Sequence, residues 1–200
     1  MNHIEYWTFI PGKNPPFSEF DNVAATAKQD DIIVEVGPYM GRGTCYMMES
    51  LKKFSSKARF YAIDTWGQNV EPVHGEGRTG NTPWGEQLTE WYSRMGGPGC
   101  FFDLFQIYVK HSPAAGYLHD YAQFPSACGC EFKNESVSYL HLGLSQKPEN
   151  VKRDLDSWWP ALKPRAVVTI YAPEAYETVC AFVDRDKVTE IEFGTWRIAK

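Results

Sequence analysis

The sequence predicts a doubly wound α/β fold: a mostly parallel, seven-stranded, Rossmann-like sheet with an antiparallel hairpin at its C-terminal end. Three observations carry that prediction. Short apolar, β-branched runs alternate with amphipathic helical stretches along the chain. The first of those runs ends in a glycine-rich turn that opens a helix. The last two strand-like runs are joined too closely for a crossover helix, so they pair as a hairpin. With 200 residues, of which 43% are hydrophobic, the chain is long enough to bury one core without staples. Residues 1–200 are therefore read as a single domain.

Residues 1–30 form an entry segment, broken by Pro11, Gly12, Pro15 and Pro16 and followed by a short helix over 17–28. Ile32–Val36 is a buried parallel strand. Thr44–Phe54 is a helix, with Met47, Leu51 and Phe54 on one face. Arg59–Thr65 is the second strand. Residues 67–83 make a long Gly-rich loop, a candidate lid, and Trp84, Leu88, Trp91 and Met95 mark a helix after it. Phe105–Val109, apolar and partly β-branched, reads as the third strand. Ser112-Pro113 then caps a helix that uses Ala115, Leu118 and Ala122. Residues 123–136 look polar and turn-like. Val137–Leu142 is strand four, Pro148–Trp159 a helix, Ala166–Ile170 strand five and 173–183 a helix. Val188–Phe193 and Trp196–Ile198 form the closing hairpin.

The formal net charge is −5 and no basic run exceeds two residues, which argues against nucleic acid as a partner. No apolar stretch is long enough to cross a membrane, and the first residues carry no leader pattern. Five scattered cysteines suit a reducing, cytoplasmic setting. Cys128-Gly129-Cys130 lacks the two-residue spacing of redox and zinc motifs. The aromatic-rich stretch 84–95 and the loop before it are expected to shape an acceptor pocket or a homodimer contact.

In open α/β sheets ligands lie beyond the carboxyl ends of the strands. The turn after strand one reads Gly37-x-x-x-Gly41-x-Gly43, preceded by Glu35 and followed by Thr44. It is neither the dinucleotide pattern G-x-G-x-x-G nor a phosphate-binding loop, which needs Gly-Lys-Ser/Thr. Asp64 ends strand two, where a carboxylate can accept both hydroxyls of a ribose. An adenosine ligand without a pyrophosphate suits this arrangement.

The run Ile33 to Leu51 followed by Phe60 to Trp66 resembles the class I S-adenosylmethionine-dependent methyltransferases, in particular their small-molecule O-methyltransferase-like branch. The likeness continues through Ser112 with Ala114-Ala115, Glu149-Asn150-Val151, Asp154-Leu155, Trp158 and Leu162-Lys163-Pro164. It implies S-adenosylmethionine as cofactor. Glu35, Gly37, Pro38, Tyr39, Gly41, Gly43 and Thr44 would then wrap its methionine and ribose. Asp64 would hold the ribose hydroxyls, and Thr65 and Trp66 would lie beside the adenine. His111 and Ser112, at the end of strand three, would approach the adenine edge. The acceptor implied is a small molecule such as a sugar or metabolite hydroxyl.

Metal-dependent members of that family carry an Asp at the end of strand four and a second acidic residue after strand five. Gly143 and Ala172 occupy those positions here, with Gln146 and Pro148 where the family has His and Tyr. Glycine and alanine offer no side-chain oxygen to a hard cation, so no metal site is expected. Candidate bases for a metal-free transfer are His74, His111, His119, His141 and Tyr171, with none singled out as catalytic. A cofactor-binding relative without transfer activity, a purely structural protein and, more remotely, a dehydrogenase remain as other readings.

Overall fold

The computed structural model describes residues 5–66, 100–143, 147–192 and 194–200. The loop at 67–83 and the helix over 84–95 fall outside the described residues. A single helical turn at Tyr6–Phe9 leads into α1 (Phe17–Thr26), β1 (Ile32–Val36), α2 (Arg42–Lys53) and β2 (Arg59–Asp64). Then come α3 (Cys100–His111), β3 (Asp120–Gln123), β4 (Val137–Leu142) and α4 (Pro148–Trp158). β5 (Leu162–Tyr171), α5 (Tyr176–Phe182), β6 (Val188–Glu192) and β7 (Thr195–Ala199) complete the chain. The sheet has seven strands in the order β3-β2-β1-β4-β5-β7-β6. The first five are parallel; β7 runs antiparallel to both β5 and β6. The fold class read from the sequence, including the terminal hairpin, is the one observed.

The third strand is not where periodicity put it. Residues 105–109 lie within α3, whose Phe101, Phe105 and Val109 recur every four residues and are buried as one stripe. A five-residue apolar run cannot by itself distinguish a buried strand from a helix face. The strand beside β2 is instead Asp120–Gln123, a short polar edge strand paired Tyr61↔Asp120 through Asp64↔Gln123. The helix expected from Ser112-Pro113 is reduced to one turn at Ala115–Tyr117.

Each face of the sheet carries its own core. One packs β1, β4, β5 and β7 against α4 and α5, around the fully buried Trp158. The other packs α1, α2 and α3 around Phe20, Leu51, Phe60 and Phe105. At the amino-terminal rim Asp31 accepts hydrogen bonds from Ser138 Oγ at 2.5 Å, Lys163 Nζ at 2.8 Å and the Lys28 N–H at 2.8 Å, tying β1, β4 and β5 together.

The Cys128-Gly129-Cys130 run has a packing explanation. Cys128 is buried, Cys130 is exposed, and neither is in a disulfide. Burial pushes the Cys128 thiol up to about 12, which keeps it unreactive. A Cβ on Gly129 would collide with the Ser157 carbonyl and stand 2.6 Å from Trp158 Cα, so only glycine lets this turn lie on the end of α4. Gly129→Ala is therefore expected to lower the unfolding free energy by about 1–3 kcal/mol. Urea denaturation would check this, and an unchanged midpoint would remove the close-approach explanation.

Candidate cofactor and acceptor site

The carboxyl ends of β1, β2, β4 and β5 form one rim, and most of the sequence-selected residues lie along it. Gly37 anchors the loop after β1 by donating its N–H to Ile63 O at 2.8 Å. The loop then passes through left-handed backbone at Gly37 (φ 88°), Tyr39 (φ 56°) and Gly41 (φ 92°), with Gly41 as the N-cap of α2. The Gly41 N–H closes the turn on Pro38 O at 2.8 Å. Thr44 Oγ1 donates to Glu35 Oε2 at 2.6 Å from the first turn of α2. Gly43 faces Glu35 so closely that a Cβ there would collide with Glu35 Oε1. The third glycine of the motif thus leaves room for the protein's own buried carboxyl group.

Asp64 closes the rim at β2. Its carboxylate accepts the Tyr39 N–H at 3.1 Å and the Trp66 N–H at 3.0 Å, with Thr65 Oγ1 at 3.4 Å. Trp66 turns inward: it is 3% exposed, donates Nε1–H to Tyr39 O at 2.8 Å, and packs on Phe102 and Phe105 with centroids at 4.8 and 4.7 Å. The glycine loop and the end of β2 are therefore cross-linked from both sides. Such a loop is held in shape before any ligand arrives, which lowers the ordering cost of binding.

His111 and Ser112 do not end a strand. His111 is the last residue of α3 and Ser112 follows it, and the chain then returns toward the amino-terminal rim. There Lys52 Nζ reaches Pro113 O at 2.9 Å, and the His119 N–H reaches Phe60 O at 2.8 Å near the start of β2. The residues that do leave the third strand beside Asp64 are Gln123 and Phe124. The Phe124 N–H donates to Asp64 O at 3.1 Å, and its ring is 40% exposed. Sequence reading passed over them because Asp120–Gln123 carries almost no strand signal.

Gly143 follows β4 directly and donates its N–H to Val36 O at 2.8 Å. Ala172, after β5, is fully buried and points into the core: its N–H reaches Gly194 O at 2.9 Å, and its carbonyl accepts Trp196 Nε1–H at 2.8 Å. Among the described residues no three His, Cys, Asp or Glu side chains are grouped as a metal site. Gln146 and His74 lie outside the described residues, and Pro148 opens α4. His119 packs edge-on beside Tyr61, its N–H bonded to Phe60 O near the start of β2.

One row of residues crosses the sheet directly beneath this rim. Glu35, His141, Thr169 and Arg197 are successive register partners on β1, β4, β5 and β7. His141 Nδ1 and Tyr139 Oη both meet Thr169 Oγ1, at 2.9 and 2.6 Å, and Arg197 pairs with Glu19 of α1 at 3.1 Å. Burial, reinforced by the Asp64 charge and opposed by the Thr44 hydroxyl, pushes the Glu35 carboxyl up from 4.5 to about 7. Burial pulls His141 down from 6.5 to about 4.

These two shifts act in opposite directions on stability. Folded Glu35 keeps a proton that the unfolded chain releases, so its contribution falls as pH rises from about 4.5 to about 7. Folded His141 refuses a proton that the unfolded chain takes, so its contribution falls as pH drops from about 6.5 to about 4. Between about 4.5 and 6.5 the slopes cancel. Relative to the parent, Glu35→Gln is expected to gain about 2 kcal/mol across that window as pH rises, and His141→Asn to lose about as much. Urea titrations at pH 4.5, 5.5 and 6.5 would show this; parallel profiles for all three proteins would contradict it.

The profile of a family described as Methyltransferase domain matches residues 34–170. Among solved structures, the O-methyltransferase NovP shares 12% identity, with 92% of this chain and 78% of that one covered at a TM-score of 0.58. CalS11, a TDP-rhamnose 3'-O-methyltransferase of calicheamicin biosynthesis, shares 9% identity over 92% and 76% of the two chains at 0.56. A Clostridium thermocellum protein named "putative rRNA-methylase" shares 13% identity over 95% and 96% at 0.50. A search of curated proteins found no match. The third likeness corrects one expectation. A chain of the same fold and nearly the same extent carries an rRNA-methylase name, so an acidic sum and one compact fold do not exclude nucleic acid. Net charge is a total over the chain, whereas nucleic acid meets a local patch. Among the described residues no helix is long and apolar enough to cross a membrane. The glycine loop, the acidic end of β2, the strand order and the profile match agree: the chain belongs to the Methyltransferase domain family, with the class I fold and S-adenosylmethionine as cofactor.

Proposed function

We propose that this protein transfers a methyl group from S-adenosylmethionine to a hydroxyl of a small molecule, without a divalent ion, at the carboxyl rim of β1, β4 and β5. The observation that carries this reading is the hydrogen bond from the Tyr39 N–H to Asp64, which locks the glycine loop against an oriented carboxylate. In the proposal, Asp64 accepts the ribose hydroxyls and residues 37–43 line the methionine and ribose. Glu35 and Thr44 hold that loop from beneath, Thr65 and Phe124 flank the adenine, and Trp66 supports the loop from inside. The cofactor supplies an activated methyl group on a sulfonium. The chain's own task is then to align the acceptor oxygen with that methyl group and to keep water out.

Two features support a metal-free site. Ala172 is turned into the core, and Gly143 brings no oxygen ligand. The same two features favour a second reading, a relative that binds the cofactor without transferring its methyl group. Of the candidate bases, Tyr171 stands at the end of β5, and His141 Nε2 lies 3.2 Å from where a Cβ on Gly143 would be. His141 is neutral at pH 7 and too weak a base to carry the reaction alone.

Calorimetric titration with S-adenosylmethionine and S-adenosylhomocysteine tests the proposal. Binding is expected, with Asp64→Ala weakening it about tenfold or more through loss of charge-assisted hydrogen bonds. Absence of binding at millimolar ligand would defeat both readings. Methyl transfer is expected to be the same with chelator as without; a tenfold rise on adding magnesium would overturn the metal-free assignment.

A further inference from the structure

The segment joining the first helical turn to α1 crosses the mouth of this site. Its backbone is pinned to the glycine loop where Arg42 Nη1 donates to Ile10 O at 3.0 Å. Ile10, Pro11, Pro15 and Pro16 are buried. Pro15 Cβ lies 3.6 Å from where a Cβ on Gly43 would stand, and Arg42 Cβ lies 3.4 Å from the equivalent point on Gly12. At the far side of the mouth Lys13 Nζ lies 3.7 Å from the centroid of Tyr171, the last residue of β5. β4 separates β1 from β5 in the sheet, so the strap spans from the loop after β1, past the end of β4, to the end of β5.

Lys13 is exposed, and among the described residues it meets no carboxylate. Its seat is the face of an aromatic ring, a weak hold at an exposed site. A phosphate oxygen at the rim offers the ammonium a charge-assisted hydrogen bond in place of the ring. Arg42, with Nε unpartnered among the described residues, adds a second positive charge behind the strap.

We propose that Lys13 is a specificity-determining residue of the acceptor site, parked on Tyr171 and poised to engage an acceptor that carries a phosphate beside the methylated hydroxyl. This rests on the reading that the acceptor enters at the carboxyl rim of β1, β4 and β5. The phosphate could belong to a small metabolite or to a nucleic-acid backbone.

The test is a proton–carbon NMR titration following the lysine ε-methylene signals of the full chain saturated with S-adenosylhomocysteine. The Lys13 signal, identified by its loss in Lys13→Gln, is expected upfield because of the Tyr171 ring, and at the ordinary lysine position in Tyr171→Leu. Glucose 6-phosphate is expected to move it downfield saturably, whereas glucose is expected to leave it in place. Lys13→Gln should weaken glucose 6-phosphate about tenfold and Lys13→Arg should restore it. A single-stranded oligoribonucleotide supplies the other arm: whichever probe saturates at the lower concentration names the source of the phosphate. No saturable movement with either probe, or equal movement of all lysines, overturns the proposal. Calorimetry of S-adenosylhomocysteine alone reads the cofactor site independently, and Lys13→Gln is expected to leave that affinity unchanged. Failure of that titration therefore counts against the proposed function, and failure of the Lys13 response against this inference.

Discussion

The contact between Glu35 and the first turn of α2 sets the geometry of everything at the carboxyl rim. Thr44 gives the buried carboxyl its hydrogen bond, and Gly43 lets the helix come down onto it without a clash. With α2 anchored there, the loop from Gly37 to Gly41 has little choice of path and presents the Tyr39 N–H to Asp64. The same placement sets Arg42 where it can hold Ile10, so the strap over the mouth depends on it too. A carboxyl group this deeply buried is costly when charged. Raising its pKa, hydrogen bonding and close packing together make the position tolerable.

Glu35 does not stand alone. It begins a polar row that continues through His141 and Thr169 to Arg197 across four strands. Most of one sheet face is apolar around this row, so each member must satisfy its polar atoms from a neighbouring strand or from α1 and α2 above. The row therefore couples strand register to helix placement. A slip of one residue in β4 would turn His141 away from Thr169 and toward the opposite core.

The glycine spacing and the acidic end of β2 were legible because the chemistry is local. A few residues after a strand must make a tight turn, and that demand leaves its mark on the sequence. The reason for Gly43 was not legible, because it arises from how the Glu35 carboxyl of β1 comes to lie against α2 rather than from the turn. Trp66 was equally ambiguous. Only its placement beneath the loop, between Tyr39 and the phenylalanines of α3, shows it as a support for that loop. His111 and Ser112 were assigned to the end of a third strand, and the structure places them instead at the C-terminal end of α3.

By itself the sequence determined the alternation of strands and helices, the parallel core with its closing hairpin, and the loop and carboxylate that mark the family. Hydrophobic period and turn chemistry are short-range properties, and they survive in one dimension. Tertiary structure alone decided that Phe105–Val109 is a helical stripe, that Asp120–Gln123 is an edge strand, and that Lys13 sits on Tyr171. Each of these depends on which surface a segment meets. A five-residue apolar run fits a sheet interior or a helix face equally well, and a polar tetrapeptide becomes a strand only when β2 offers its free edge. A lysine 158 positions before a tyrosine meets it only once the strap is laid across the rim.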